Sequence, residues 1–138
     1  IAQVGAIGPL VKLLRDGAPD VRAQAVGALG NLAVYNAETN RGNQVAIAEA
    51  GAIPMLVSSL ADKAPIIREG AAGTLRNLVL RHEANQAQVV EAGGIDKLVG
   101  LLRTGGPEAA EASGALRNMM ADSASHQAAV LRAGALEP

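Results

Sequence analysis

Residues able to make or break covalent bonds are few in this chain, and their spacing does not bring them together. The two histidines, His82 and His126, stand far apart in sequence. Cysteine is absent, which removes thiolate nucleophiles, thiolate metal sites and disulfides. A metal would need at least three convergent ligands, and no stretch offers His, Asp and Glu at a suitable spacing. Thr104-Gly-Gly-Pro107 is the nearest approach to a phosphate loop. It lacks the required glycine spacing and carries proline where such a loop carries lysine. Ser58, Ser59, Ser113 and Ser123 have no His/Asp setting that forms a triad. The reading is of a chain that is not an enzyme and needs no cofactor or metal.

The elements that carry these residues follow from composition and pattern. A length of 138 residues suits one domain or one fragment of a repeat array. Phe and Trp are absent and Tyr35 is the single tyrosine, so the interior has to be filled by Leu, Val, Ile and Ala rather than by large rings. About a fifth of the chain is alanine, the strongest helix former, which points to closely packed helices. Twelve basic residues face thirteen acidic ones, for a net charge of −1. The basic residues divide evenly between the two halves, so the excess expected of a nucleic-acid or anionic-membrane binder is missing. No apolar run approaches the roughly 18 residues of a membrane span, and the first residues do not read as a signal peptide.

A repeat dominates the sequence. Ile1-Ala-Gln-Val-Gly5-Ala-Ile is matched by Ile47-Ala-Glu-Ala-Gly51-Ala-Ile, Val89-Val-Glu-Ala-Gly93-Gly-Ile and Val130-Leu-Arg-Ala-Gly134-Ala-Leu, with the glycines 46, 42 and 41 residues apart. A second anchor, Ala28-Leu-Gly-Asn31-Leu, Thr74-Leu-Arg-Asn77-Leu and Ala115-Leu-Arg-Asn118-Met, recurs at 46 and 41. Periods of about 40–47 belong to helical solenoids. The units fall at approximately 1–42, 43–84 and 85–125, with the start of a fourth at 126–138, in one domain. The four additional residues of the first unit lie around Tyr35 to Arg41, where a loop absorbs length without putting the stack out of phase. Ile1 and Pro138 both fall inside units, so the expectation is a portion of a longer array, or end-to-end self-association of open ends.

Each unit divides into one short and two longer helices. The short one is expected from Asn43, Asn85 or His126, taken as N-caps, to the C-capping Gly51, Gly93 or Gly134. The second begins near Pro9, Pro54 or Asp96. The third starts at Pro19, Pro65 or Pro107, prolines suited to a first helical position. Val21, Ala25, Leu29 and Leu32 form a core stripe on it, repeated as Ile67, Ala71, Leu75 and Leu78, and as Ala112, Leu116 and Met119.

The stretches EAGAIPMLV, AAGTLRNLVL and LRTGGPEAAEASGALRNM resemble the armadillo repeat, and the resemblance covers the whole chain. It implies an all-α, right-handed α-solenoid with three helices per repeat, whose third helices line a concave groove. In that family the Asn of the third helix typically hydrogen-bonds the backbone of an extended peptide, and the matching residues are Asn31, Asn77 and Asn118. A carboxamide both donates and accepts, so it can pair with any peptide unit. The same Asn could instead bond the neighbouring repeat and hold the stack. The family's nuclear-import adaptors carry Trp four residues before this Asn. Here Gly27, Gly73 and Gly114 occupy those places, which speaks against capture of a polybasic signal by cation–π contact. These glycines serve either close helix packing or a bare groove floor.

One turn beyond the Asn series stand Tyr35, Arg81 and Asp122, and two turns before it Ala23, Glu69 and Ala110, with Arg76 and Arg117 flanking. The expected peptide-binding residues are therefore Asn31, Asn77, Asn118, Arg81, Arg117, Arg76, Glu69 and Tyr35. Such a groove suits a partner with one or two acidic residues better than a polybasic one. The function expected is a protein–protein interaction module, with no nucleic acid as partner, in a cytoplasmic or nuclear protein. The alternatives are a structural scaffold or the adaptor region of a ubiquitin ligase, since the loop and anchor patterns resemble armadillo regions of plant-type U-box ligases and of vacuolar-membrane armadillo proteins.

Overall fold

The computed structural model describes residues 2–34, 40–121 and 123–134. Among them are nine helices and no strand: α1 (Ala2–Asp16), α2 (Pro19–Ala33), α3 (Asn40–Glu49), α4 (Ala52–Ser59), α5 (Pro65–Leu78), α6 (Glu83–Glu91), α7 (Gly94–Leu102), α8 (Pro107–Met120) and α9 (Ala124–Arg132). No described helix is long and apolar enough to cross a membrane.

Helices α2, α5 and α8 each begin at the expected proline and lie side by side, with α5 in contact with both neighbours. They form one layer of an all-α solenoid. Its inward face carries most of the predicted stripe: Ala25, Leu29, Ile67, Ala71, Leu75, Leu78, Ala112, Leu116 and Met119 are buried, while Val21 and Leu32 of the end helix α2 are only half-buried. The shorter helices close the core from behind with Ile47, Ile53, Leu56, Leu98 and Val99.

Sharp joints between the shorter helices come from glycine. Gly51 and Gly93 take φ of 84° and 78°, a left-handed conformation that costs a residue without Cβ little. Each ends one helix and precedes the first residue of the next. Gly5 behaves differently: α1 runs through it and through Pro9 as one helix, so the break expected there is absent. Glycine permits the left-handed turn without imposing it.

The helix starts also differ from expectation. The N-caps of α6 and α9 are His82 and Ser123, whose side chains accept from the backbone N–H of Asn85 and His126. Asn85 and His126 therefore stand one turn inside their helices, as does Asn43 in α3. All three bond backwards, to a carbonyl at the end of the preceding layer helix: Asn43 Nδ2 to Leu32 O (2.7 Å), Asn85 Nδ2 to Leu78 O (2.8 Å) and His126 Nδ1 to Met119 O (2.9 Å). Helix C-termini leave carbonyls without intrahelical donors, and these residues supply them. The adjacent glutamines add to this. Gln86 Nε2 donates to Val79 O at 2.8 Å, while Gln44 Nε2 reaches the next unit, at 2.9 Å from both Asn77 O and Leu80 O.

Candidate functional site

The outward face of the α2–α5–α8 layer has two furrows, one on each side of α5. Both are bolted at the same end by a charged pair between units. Arg22 of α2 pairs with Asp62, just before α5. Arg68 of α5 holds Glu108 at the start of α8 through Nε (3.0 Å) and Nη2 (2.7 Å). Burial pushes the Asp62 carboxyl up, but the Ala64 N–H and the Arg22 guanidinium hold it below its ordinary value, with Arg68 adding attraction. The Glu108 carboxyl is lowered too, first by the Arg68 hydrogen bonds.

The middle of the layer is where the furrows diverge. Arg76 lies across the α5–α8 furrow. A Cβ built on Gly114 would stand 2.3 Å from Arg76 Cδ, so only glycine leaves room for the arginine stem. Beyond it, Arg76 Nη1 comes within 3.1 Å of Glu111 Oε1 on α8. The approach is off the hydrogen-bond direction, which leaves that buried oxygen with charge compensation but no aligned donor. In the α2–α5 furrow, Gly30 holds the place of Arg76, by its position one residue before the Asn. The nearest atoms to a Cβ on Gly73 all belong to Glu111, at 3.4 Å or more. A Cβ on Gly27 would meet nothing within 4 Å. A cavity of about 360 Å³ remains there, lined by Val26, Gly27, Gly30, Val34, Ile66, Glu69, Gly73, Asn77 and Glu111 among others.

The three Asn of the layer have three different environments. Asn31 is exposed and Asn77 half-buried, and neither side chain has a hydrogen-bond partner among the described residues. Asn118 Nδ2 donates to Arg76 O at 2.9 Å, so its amide is committed to the neighbouring unit while it also edges a second cavity. That cavity, about 760 Å³, lies where the C-terminal ends of α5 and α8 meet α6 and α9. Its lining brings together Arg81, Arg117, Asn118, Glu83, Gln86, Ser123 and His126. Arg81 adopts a left-handed φ of 53°. Arg117 is exposed and makes no ion pair with a described residue.

Of the residues expected from sequence, Asn77, Arg76 and Glu69 meet in the α2–α5 furrow, and Arg81, Arg117 and Asn118 meet at the far end of the α5–α8 furrow. Tyr35 and Asp122 lie outside the described residues. Sequence reading missed Glu111, His126 and Ser123 as parts of this surface. Glu111 stands three residues before Gly114 in α8 and shares its face, so a three-residue step in place of the four-residue step that leads to Ala110 would have found it. Among the described residues, no group of His, Asp and Glu is placed to hold a metal.

Comparison with known proteins gives the relationship. A family model described as the armadillo/β-catenin-like repeat matches residues 1–34 and 40–80, more than half of the chain. Designed proteins are among the similar solved structures. One is a designed armadillo repeat protein in complex with the peptide (KR)4, at 32% identity and a TM-score of 0.85, covering 96% of this chain and 54% of that one. A second designed armadillo repeat protein gives 31% identity and a TM-score of 0.86 over 95% of this chain and 54% of that chain. An engineered protein gives 34% identity and a TM-score of 0.85 over 96% and 54%. The chain thus spans about half the length of these structures. No curated protein sequence matches it. The helical layer, its two furrows and these matches agree: the chain belongs to the armadillo/β-catenin-like repeat family.

Proposed function

We propose that this chain is a non-catalytic interaction module that holds an extended segment of a partner protein across the outward face of α2, α5 and α8. The observation that carries this reading is Asn77: a half-buried carboxamide at the centre of the layer, beside an open furrow, with no partner for its donor or its acceptor among the described residues. A peptide unit laid over it would satisfy both. A designed relative of the same fold holds a peptide, which supports the mode of binding. Its ligand is strongly basic, whereas the cavity at the end of the α5–α8 furrow gathers Arg81 and Arg117 against one carboxylate, Glu83, so a segment with an acidic residue suits this chain better. Asn31 extends the series on one side, whereas the Asn118 amide is already bonded to the Arg76 carbonyl.

A second reading, a scaffold whose Asn residues hold the stack, has the Asn118–Arg76 bond behind it. A titration separates the two. Asn77→Ala should weaken an acidic and a neutral peptide alike by about tenfold, the low end of the cost of leaving peptide groups unpaired, with an unchanged melting curve. Arg117→Ala should weaken the acidic peptide selectively. Normal binding by Asn77→Ala would transfer the weight to the scaffold reading.

A further inference from the structure

The two furrows offer different chemistry to a segment that crosses them. The α2–α5 furrow is apolar in its floor and at its ends. Ile66 and Val34, 65% and 53% exposed, stand at opposite ends of it, with Gly27, Gly30 and Gly73 between them. Surface aliphatic side chains this exposed are unremarkable singly. Here two of them flank one open cavity of about 360 Å³. Its charged lining is Glu69, which has no ion-pair partner among the described residues, together with the Arg76–Glu111 pair, whose carboxylate lies over Gly73. A carboxylate beside Glu69 would be repelled. On the other side of α5, the arginine stem fills the middle of the furrow, and the exposed Arg117 faces the cavity at its end.

We infer that the α2–α5 furrow receives an aliphatic side chain of the bound segment while Arg117 receives an acidic one, so that the partner is an extended peptide carrying both residues at a fixed separation. The inference rests on the groove reading above and names its ligand. The spacing follows from geometry. Packed helices lie about 8–10 Å apart, the Arg117 cavity lies further toward the C-terminal ends of the layer helices, and an extended chain advances about 3.3 Å per residue, so the two side chains belong about two to four positions apart, with Asn77 pairing the backbone between them. A basic residue would be repelled at Arg117 and an acidic one at Glu69, so the charge pattern favours this assignment of the two side chains.

The test uses synthetic ten-residue peptides with one Leu and one Glu, two, three or four positions apart in an Ala/Ser background, and versions with Leu→Ala or Glu→Gln. Binding is read by fluorescence anisotropy. The Leu peptide is expected to bind about tenfold more tightly than its Ala version. Gly27→Leu, introduced where a new Cβ meets nothing within 4 Å, should fill the furrow and abolish that preference while the Glu-over-Gln preference persists. Methyl NMR gives a second readout, with Ile66 and Val34 shifting on addition of the Leu peptide and not of the Ala peptide. Equal affinity of the Leu and Ala peptides for the parent chain overturns the aliphatic pocket and leaves the groove reading standing. Failure of every peptide to bind overturns both. A Leu preference that survives in a folded Gly27→Leu variant places the apolar contact elsewhere and overturns the inference.

Discussion

In the α5–α8 furrow the stem of Arg76 lies over Gly114 and ends beside Glu111; in the α2–α5 furrow Gly30 stands in the same repeat position and Gly73 is left without a cover from α2. The two furrows share their glycine floor and their bolting ion pairs. One side chain separates a filled surface from an open one. This shows how a repeat array acquires specificity: core positions are copied from unit to unit because the stack must register, whereas groove positions vary without disturbing it. The comparison has a second level in the Asn series, where Asn118 is bonded to the neighbouring unit and Asn77 is not.

The largest effect should come from removing what the furrows have in common. Leu75 is fully buried on the inward face of α5, the helix that forms a wall of both. Leu75→Ala should cost about 2–5 kcal/mol, a large share of the about 5–15 kcal/mol that holds a domain together. Chemical denaturation should show a lower midpoint, and both furrows should lose ligand together. An unchanged midpoint would mean that α5 does not set the position of its neighbours.

Next comes the difference between the two asparagines. Asn118→Ala removes a bond to the Arg76 carbonyl and should destabilise the chain by about 0.5–1.5 kcal/mol. Asn77→Ala removes no bond within the described residues and should melt with the parent. Equal melting of the two variants would erase the distinction between a stacking and a ligand-facing Asn.

How much of this was legible in the sequence divides along the same line. Gly51 and Gly93 marked the joints, and the prolines marked the layer helices, because backbone conformation is a local requirement that particular residues meet. The N-caps were misplaced for a related reason. Asn is a favoured cap by type, yet Asn43 and Asn85 sit one turn further on and serve carbonyls of the helix before. Residue type alone does not say which backbone a carboxamide will meet. Arg76 over Gly114 was beyond reach, since it depends on how closely α5 and α8 approach. The bolting pairs were readable in principle: Arg22 with Asp62 and Arg68 with Glu108 are each 40 residues apart, which is close to the repeat period.

Those pairs give a pH-dependent effect common to both furrows. The folded-state carboxyls of Asp62 and Glu108 are both lowered. Their contribution is therefore complete above the unfolded carboxylate pKa, near 4, and is lost as pH falls through the lower folded values. Between neutral pH and about 5 the melting temperature should be insensitive to these two groups. Below about 4 it should fall, and Glu108→Gln should reduce that acid-limb slope. A slope unchanged by the substitution would remove Glu108 from the account.

The smallest effect sharpens the comparison most, because it sets equivalent positions of the two furrows side by side. Gly73 and Gly114 both lie inside helices, where replacing glycine by alanine ordinarily gains about 0.5–1 kcal/mol. At Gly73 the new Cβ would meet the Glu111 carboxylate at 3.4 Å, an ordinary contact with the movable tip of a side chain. Most of the gain should be realised. At Gly114 it would meet Arg76 Cδ at 2.3 Å, so the arginine stem has to leave and its pairing with Glu111 is lost with it. That pair is partly exposed, at 41% and 29%, and pairs of this kind contribute about 0–1 kcal/mol. The two terms nearly cancel. Gly73→Ala should therefore raise the denaturation midpoint while Gly114→Ala leaves it within error or lowers it. The Arg76 side-chain resonances should move in the second variant and stay in the first. Equal gains in both would mean that Arg76 does not rest on Gly114 in solution, and the two furrows would then be alike.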